Sequence, residues 1–144
     1  MPRRCRFVNS FSLHPQLAAD CHWIGDLALS QVLLFNDARY PWVILVPRRP
    51  VLREIYELNA DDRMRLLGES CRVGEWLMTQ FNGDKLNIGA LGNLVPQLHV
   101  HHVVRSHGDP AWPGPVWGHS TAQPYASEVL QVRLDMLREG LQIG

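Results

Sequence analysis

Only one stretch of this chain reads as a long helix, and the segments on either side of it do not. Met64, Leu67, Cys71, Gly74, Met78 and Phe81 recur at alternating steps of three and four, the spacing of a single helical face. Asn59 is placed to cap the start, Asp61 and Asp62 suit the positive end of the helix dipole, and "NGD" at 82–84 ends the run. Arg63, Glu69, Arg72 and Glu75 are expected on the solvent side. A helix with one apolar face needs a surface to lie on, and the flanking sequence supplies it. "SQVLLFND" (30–37) and "WVILV" (42–46) read as strands joined by a short connection that Pro41 restrains, the second fully buried and closed by Pro47. "KLNIGALGN" (85–93) and "QLHVHHVV" (97–104) follow the helix as two more. Neighbouring strands with short connections and a single long helix predict an α+β fold.

The remaining segments are shorter. Ser12 is expected to cap a first helix over "LHPQLAAD", with Pro15 confined to its first turn. "HGDPAWPGPVWG" (107–118) has too much proline and glycine for regular structure. A final helix is expected from about Ser127 to Glu139, with Val129, Val132, Met136 and Leu137 on its apolar face. The 144 residues suit one domain with one core.

Composition mainly excludes. Fourteen basic and 14 acidic residues cancel, and "PRR" (2–4) and "PRRP" (47–50) are too short to make a binding stripe, so no nucleic acid partner is expected. Cys5, Cys21 and Cys71 are an odd number without CxxC spacing, which argues against disulfides and cysteine zinc sites. The N-terminal segment lacks the apolar stretch of a secretory signal, and no apolar run is long enough to span a bilayer. These features predict a cytoplasmic protein without a membrane partner.

The densest chemistry lies in "PQLHVHHVVR" (96–105). On a strand, Gln97, His99, His101 and Val103 share one face, and Leu98, Val100, His102 and Val104 share the other. Three readings of the Gln97–His99–His101 row stay open. It can be structural. It can supply two metal ligands, with a third from His107, His14, Asp37 or Asp109, although no HExxH or comparable carboxylate signature is present. Or it can be nucleophilic: a neutral imidazole attacks phosphorus, a second imidazole donates a proton or hydrogen bond, and no metal is needed if such donors hold the developing charge. His102, on the opposite face among apolar side chains, is expected to be a neutral core residue with both nitrogens paired.

"QLHVHHVVR" resembles the signature of the histidine triad (HIT) family, in which histidines alternate with apolar residues. "NIGALGNLVP" is similar to the strand and turn that lead into that signature, and "LLFNDARYPWVILVPRR" to the family's paired strands. The helix over 61–81 stands where the family has its long helix, and the resemblance covers about residues 12–118. It implies an antiparallel sheet of about five strands with one long helix and a short N-terminal one. It further implies a HIT-like domain over 1–118 and a helical extension over 119–144 packed on it.

The resemblance also implies an activity. Most members are nucleotide hydrolases or transferases acting at an α-phosphate. It makes His99 the nucleophile that becomes nucleotidylated and His101 its phosphate-contacting partner. Gln97 stands where the first triad histidine is usual, as in a bacterial branch resembling diadenosine polyphosphate hydrolases. Gly92 and Asn93 are expected beside the phosphates, Asp37 on the ribose hydroxyls with Asn36 as its alternate, and Arg105 near phosphate or in solvent at the strand end. Trp112 and Trp117 are candidates to wall a nucleobase or a dimer groove. A homodimer is implied. No cofactor is expected for the chemical step, though magnesium can accompany the substrate. The alternatives are a nucleotidyl transferase, a nucleotide-binding regulatory module whose catalysis is weakened by Gln97, and, more distantly, a metalloprotein.

Overall fold

The computed structural model describes residues 10–144, so Cys5 and the first basic run lie outside the described residues. Helix α1 (Pro15–Asp20) leads directly into β1 (Cys21–Asp26), followed by β2 (Ser30–Phe35) and β3 (Trp42–Pro47). A single 3-10 turn, Ile55–Glu57, precedes α2 (Ala60–Gln80). Strands β4 (Lys85–Gly89) and β5 (Val100–Arg105) come next, and α3 (Ser127–Leu141) closes the chain. The five strands form one antiparallel sheet in the order β1-β2-β3-β5-β4. The α+β class and the antiparallel five-stranded sheet are therefore as expected.

Alternation along the central strands divides the core between the two faces of the sheet. Val43 and Leu45 of β3, with Val100 and Val104 of β5, meet Leu66, Val73 and Leu77 of α2 and Leu134, Leu137 and Leu141 of α3. Trp42, Ile44 and Val103 point the other way, toward Leu17 of α1 and Ala111 and Val116 of the irregular segment after β5. The C-terminal helix thus contributes to the same core as the long one.

Several sequence expectations are corrected. Strand β1 leaves no clear mark in the sequence: its burial alternates poorly, and its pairing slips between Trp23 and Gly25. The cap of α1 is His14, not Ser12. Pro15 is the first helical residue, so the residue before it takes the cap, and His14 Nδ1 accepts from Gln16 N–H at 3.0 Å. Asn59 does cap α2, accepting from Asp62 N–H at 2.8 Å, a bond whose loss costs about 1 kcal/mol.

The buried face of α2 is rotated from the expected one. Met64 and Leu67 are 69% and 59% exposed, whereas Leu66, Glu69, Ser70, Val73, Gly74 and Leu77 are buried; Met78 and Phe81 are partly buried against the core. Two polar residues belong on this face because each has a partner there. Glu69 Oε2 accepts from Leu29 N–H at 2.9 Å, and Ser70 Oγ lies 2.7 Å from His102 Nε2. At Gly74 a Cβ would stand 2.6 Å from Leu86 Cδ2, so glycine lets the helix close on β4. Likewise α3 buries Leu134, Leu137 and Leu141 and leaves Val129 and Val132 exposed, because Arg138 ties the helix to the carbonyls of Trp23 and Ile24.

Strand β5 starts three residues later than predicted. Leu98 N–H donates to Leu52 O at 2.8 Å instead of to a sheet neighbour, and β3 ends at Pro47, which has no N–H to offer. Gln97 and His99 therefore precede the strand proper. Likewise β4 ends at Gly89, and 90–99 forms a loop over the site.

Candidate active site

The loop 90–99 and β5 bring His99 and His101 to one wall of a cavity of about 490 Å³. Their ring centroids are 4.9 Å apart, and the two residues are 6% and 8% exposed. Phe35, Trp42, Val95 and Trp117 supply apolar surface, and Asp37 marks the polar rim. Gly92 and Asn93 line the same space. Gly92 has φ +68°, a conformation costly for residues with a side chain, and it turns the loop around the cavity. The Asn93 side chain makes no hydrogen bond among the described residues and is exposed. A smaller cleft of about 170 Å³, lined by Arg53, Glu54 and Gln97, also reaches His99.

The hydrogen bonds fix which nitrogen of each imidazole carries the proton. His99 Nδ1 lies 2.7 Å from the Gln97 carbonyl, which only accepts, so the proton is on Nδ1 and the Nε2 lone pair is free. His101 is the reverse. Its Nδ1 accepts from Trp42 Nε1–H at 3.0 Å, which leaves the proton of the neutral ring on Nε2. Burial, then the neighbouring His99 and His102, push the His101 pKa down to about 3, so the ring is neutral. Side by side stand one imidazole with a free lone pair and one with an N–H to give.

His102 occupies the other face, with no exposed surface. Its Nδ1–H donates to Val100 O at 3.1 Å and its Nε2 accepts from Ser70 Oγ. Burial lowers its pKa to about 4, partly offset by backbone hydrogen bonds. It is a neutral, fully paired core residue, as its strand face predicts.

The other expected residues divide. Gln97 is beside His99 but not as part of a strand row. Its amide is engaged with the N-terminal segment, accepting from His14 N–H at 2.8 Å and donating to Ser12 O at 2.9 Å. Its backbone carbonyl, not its side chain, touches the His99 ring. Asp37 lines the cavity but is tightly held by Arg39, whose Nε and backbone N–H donate to Oδ1 while Nη2 donates to Oδ2 at 2.9 Å. Burial alone would raise its pKa, but Arg39 outweighs that and holds the carboxyl below its ordinary range.

Asn36 does not line the cavity: its Oδ1 accepts from Tyr125 N–H and anchors the C-terminal segment. Arg105 is neither in the cavity nor solvated. It is 2% exposed, paired with Asp109 at 2.8 Å and bonded to Asn87, because the turn after β5 folds back over it. Trp117 walls the cavity, while Trp112 lies apart against His107. Among the described residues, no three His, Cys, Asp or Glu side chains converge as a metal site. Cys21 belongs to the core, and burial, then the Asp20 charge, push its thiol up to about 12.

Two participants escaped the sequence. Trp42 reads there as one more apolar residue, and only the pairing of β3 with β5 sets its ring 5.8 Å from that of His101. Arg39 reads as a turn residue, yet it joins Asp37 to Ser120 Oγ and Thr121 O, pinning the outer wall of the cavity.

The HIT domain family matches residues 16–108. The chain belongs to the HIT family. A histidine triad protein from Marinobacter aquaeolei VT8 superposes with a TM-score of 0.91 at 52% identity, over 94% of this chain and 99% of that one. A histidine triad protein from Bradyrhizobium japonicum gives 0.89 at 47% identity, over 92% and 98%. One from Sinorhizobium meliloti 1021 gives 0.88 at 44% identity, over 90% and 96%. No curated protein matches the chain. The HIT assignment agrees with a nucleotide-handling site, and no described helix is long and apolar enough to cross a membrane.

Proposed function

We propose that this HIT protein is a nucleotide hydrolase acting at an α-phosphate through a nucleotidyl-His99 intermediate. The observation that carries the reading is the opposite tautomers of the two adjacent imidazoles. The free Nε2 of His99 attacks phosphorus, forming an N–P bond as the bond to the leaving group breaks and its electron pair departs with that group. The His99 ring then bears positive charge, and its Nδ1–H remains on the Gln97 carbonyl, which stabilises that charge. His101 Nε2–H donates to a phosphate oxygen or to the leaving atom. Water then attacks phosphorus, the N–P bond breaks, and His99 returns to its neutral form as the water proton leaves to solvent.

Nucleoside binding follows from the lining. Phe35, Trp42 and Trp117 offer apolar surface to a base, Asp37 an acceptor to the ribose hydroxyls, and Gly92 and Asn93 donors near phosphate. Dinucleoside polyphosphates and nucleoside phosphoramidates are the substrate classes proposed, with magnesium only as a companion of the former. A nucleotidyl transferase shares the first half-reaction, and the smaller cleft beside His99 leaves room for an acceptor other than water. We extend the proposal to a homodimer in the cytoplasm: β4 is an edge of the sheet and presents Ile88, 53% exposed, to a second copy.

The test is a panel of diadenosine polyphosphates, adenosine phosphoramidates and nucleotide sugars, each with and without exhaustive chelation. Release of AMP from one of the first two classes, with phosphoramidate turnover unaffected by chelation, is expected. Turnover of none of them, with nucleotide binding retained, would replace the hydrolase by a binding module. Phosphoramidate turnover restored only by stoichiometric zinc would overturn the metal-free mechanism.

A further inference from the structure

Trp42 lies in the cavity wall, 5% exposed, as the first residue of β3. Its hydrogen bond to His101 differs in kind from the bond that holds His99. A carbonyl accepts from an imidazole; an indole nitrogen only donates. An Nδ1–H on His101 would set N–H against N–H across the 3.0 Å contact. Both the other neutral tautomer and the doubly protonated ring are therefore disfavoured.

We infer that Trp42 is a positioning residue that locks His101 as a neutral Nε2–H donor toward the substrate phosphate. This rests on the roles given to His99 and His101 above. A neutral imidazole is a serviceable electrophilic donor where the environment forbids the imidazolium, and it does not change character as pH moves through the usual histidine range. The surroundings agree. Strand β3 brings Trp42, Ile44 and Val46 to this face, none of them titratable, β4 brings Gly89 opposite His101, and the segment after β5 brings Trp117. The titratable neighbours are His99 on the same wall, His102 through the strand, and Asp20 and Asp37 elsewhere on the cavity lining. Among the described residues no carboxylate is bonded to His101, and Asp37 is tied to Arg39. Without the indole N–H, none of these groups would hold one tautomer.

The test replaces the N–H and little else. Trp42→Phe keeps an aromatic ring. Incorporation of benzothienylalanine at position 42, with sulfur in place of N–H, keeps the full shape should the phenylalanine variant fold poorly. Nitrogen-15 NMR of His101 in the intact protein reads its tautomer directly. The wild type is expected to show a single Nε2–H form above about pH 4, and the altered proteins a mixture. With adenosine phosphoramidate as substrate, kcat should fall about 10- to 100-fold while KM changes little, and the pH at which His101 takes up its second proton, followed by the same NMR, should move up toward the ordinary histidine range. Unchanged tautomer, kcat and His101 titration in the benzothienylalanine protein would overturn the inference. If the wild type turns over no nucleotide, the hydrolase reading fails separately, and the NMR result still decides whether Trp42 sets the tautomer.

Discussion

Strand β5 and the two residues before it carry three imidazoles in four positions, and the two faces of the strand put them to opposite uses. His99 and His101 open on a cavity with one nitrogen anchored and the other free. His102, a single residue along the chain, has both nitrogens paired and no exposed surface. Composition does not separate them. What separates them is the number of ring nitrogens that the surrounding protein satisfies. A histidine with both nitrogens paired is structural; one with a single nitrogen left over has chemistry available. The tautomers sharpen the contrast within the working face, because a carbonyl partner creates a nucleophile and an indole partner a donor.

Substitution should break this contrast in graded steps. His99→Ala removes the free lone pair, and steady-state turnover on the best substrate should fall at least about 10³-fold with the fold retained. His101→Ala leaves the nucleophile but removes the donor, and the same assay should lose about 10²-fold. On the opposite face the largest effect is on stability. His102→Asp buries a carboxyl facing the Val100 carbonyl, and denaturant unfolding should show a loss of about 3 kcal/mol or more.

His102→Val is the mildest change. It leaves Ser70 without its partner, which costs about 1 kcal/mol, yet turnover should survive nearly intact. If it abolished turnover in a folded protein, the assignment of the two faces would be reversed. The same variant gives a pH signature. The pKa of His102 is about 4 when folded and 6.5 as its ordinary value, so the unfolded chain binds the extra proton between those values. Stability should therefore fall as pH drops from 6.5 toward 4, by up to roughly 3 kcal/mol from this residue. His102→Val should show a shallower loss over that window, with the share of His101 remaining.

Alternation was legible in the sequence wherever strands are central. It put His102 on the core face and His99 with His101 on the other, and the buried run at 42–46 sits in the middle of the sheet. The helix faces were not legible, because hydrophobicity cannot register a polar residue whose partner is distant in sequence. Glu69 and Ser70 are buried by bonds to Leu29 and His102, and Met64 and Leu67 are left outside. Arg105 misled for the same reason, since its partner Asp109 lies in a segment that otherwise reads as irregular. Gln97 reads in the sequence as part of a side-chain row with His99 and His101, but it precedes the strand, and its contact with His99 is made through the backbone, which any residue type supplies. Trp42 and Arg39 could be recognised only after strand pairing and the return of the C-terminal segment were known.

The central claim is a covalent bond between His99 Nε2 and phosphorus. Rapid acid-free quenching during turnover of diadenosine tetraphosphate or an adenosine phosphoramidate, followed by peptide mass spectrometry, looks for it directly. An adenylyl adduct confined to His99, absent from His99→Ala and accumulating in a variant slowed in the water step, is the expected result. An adduct on His101, or near-normal turnover by His99→Ala, would contradict it.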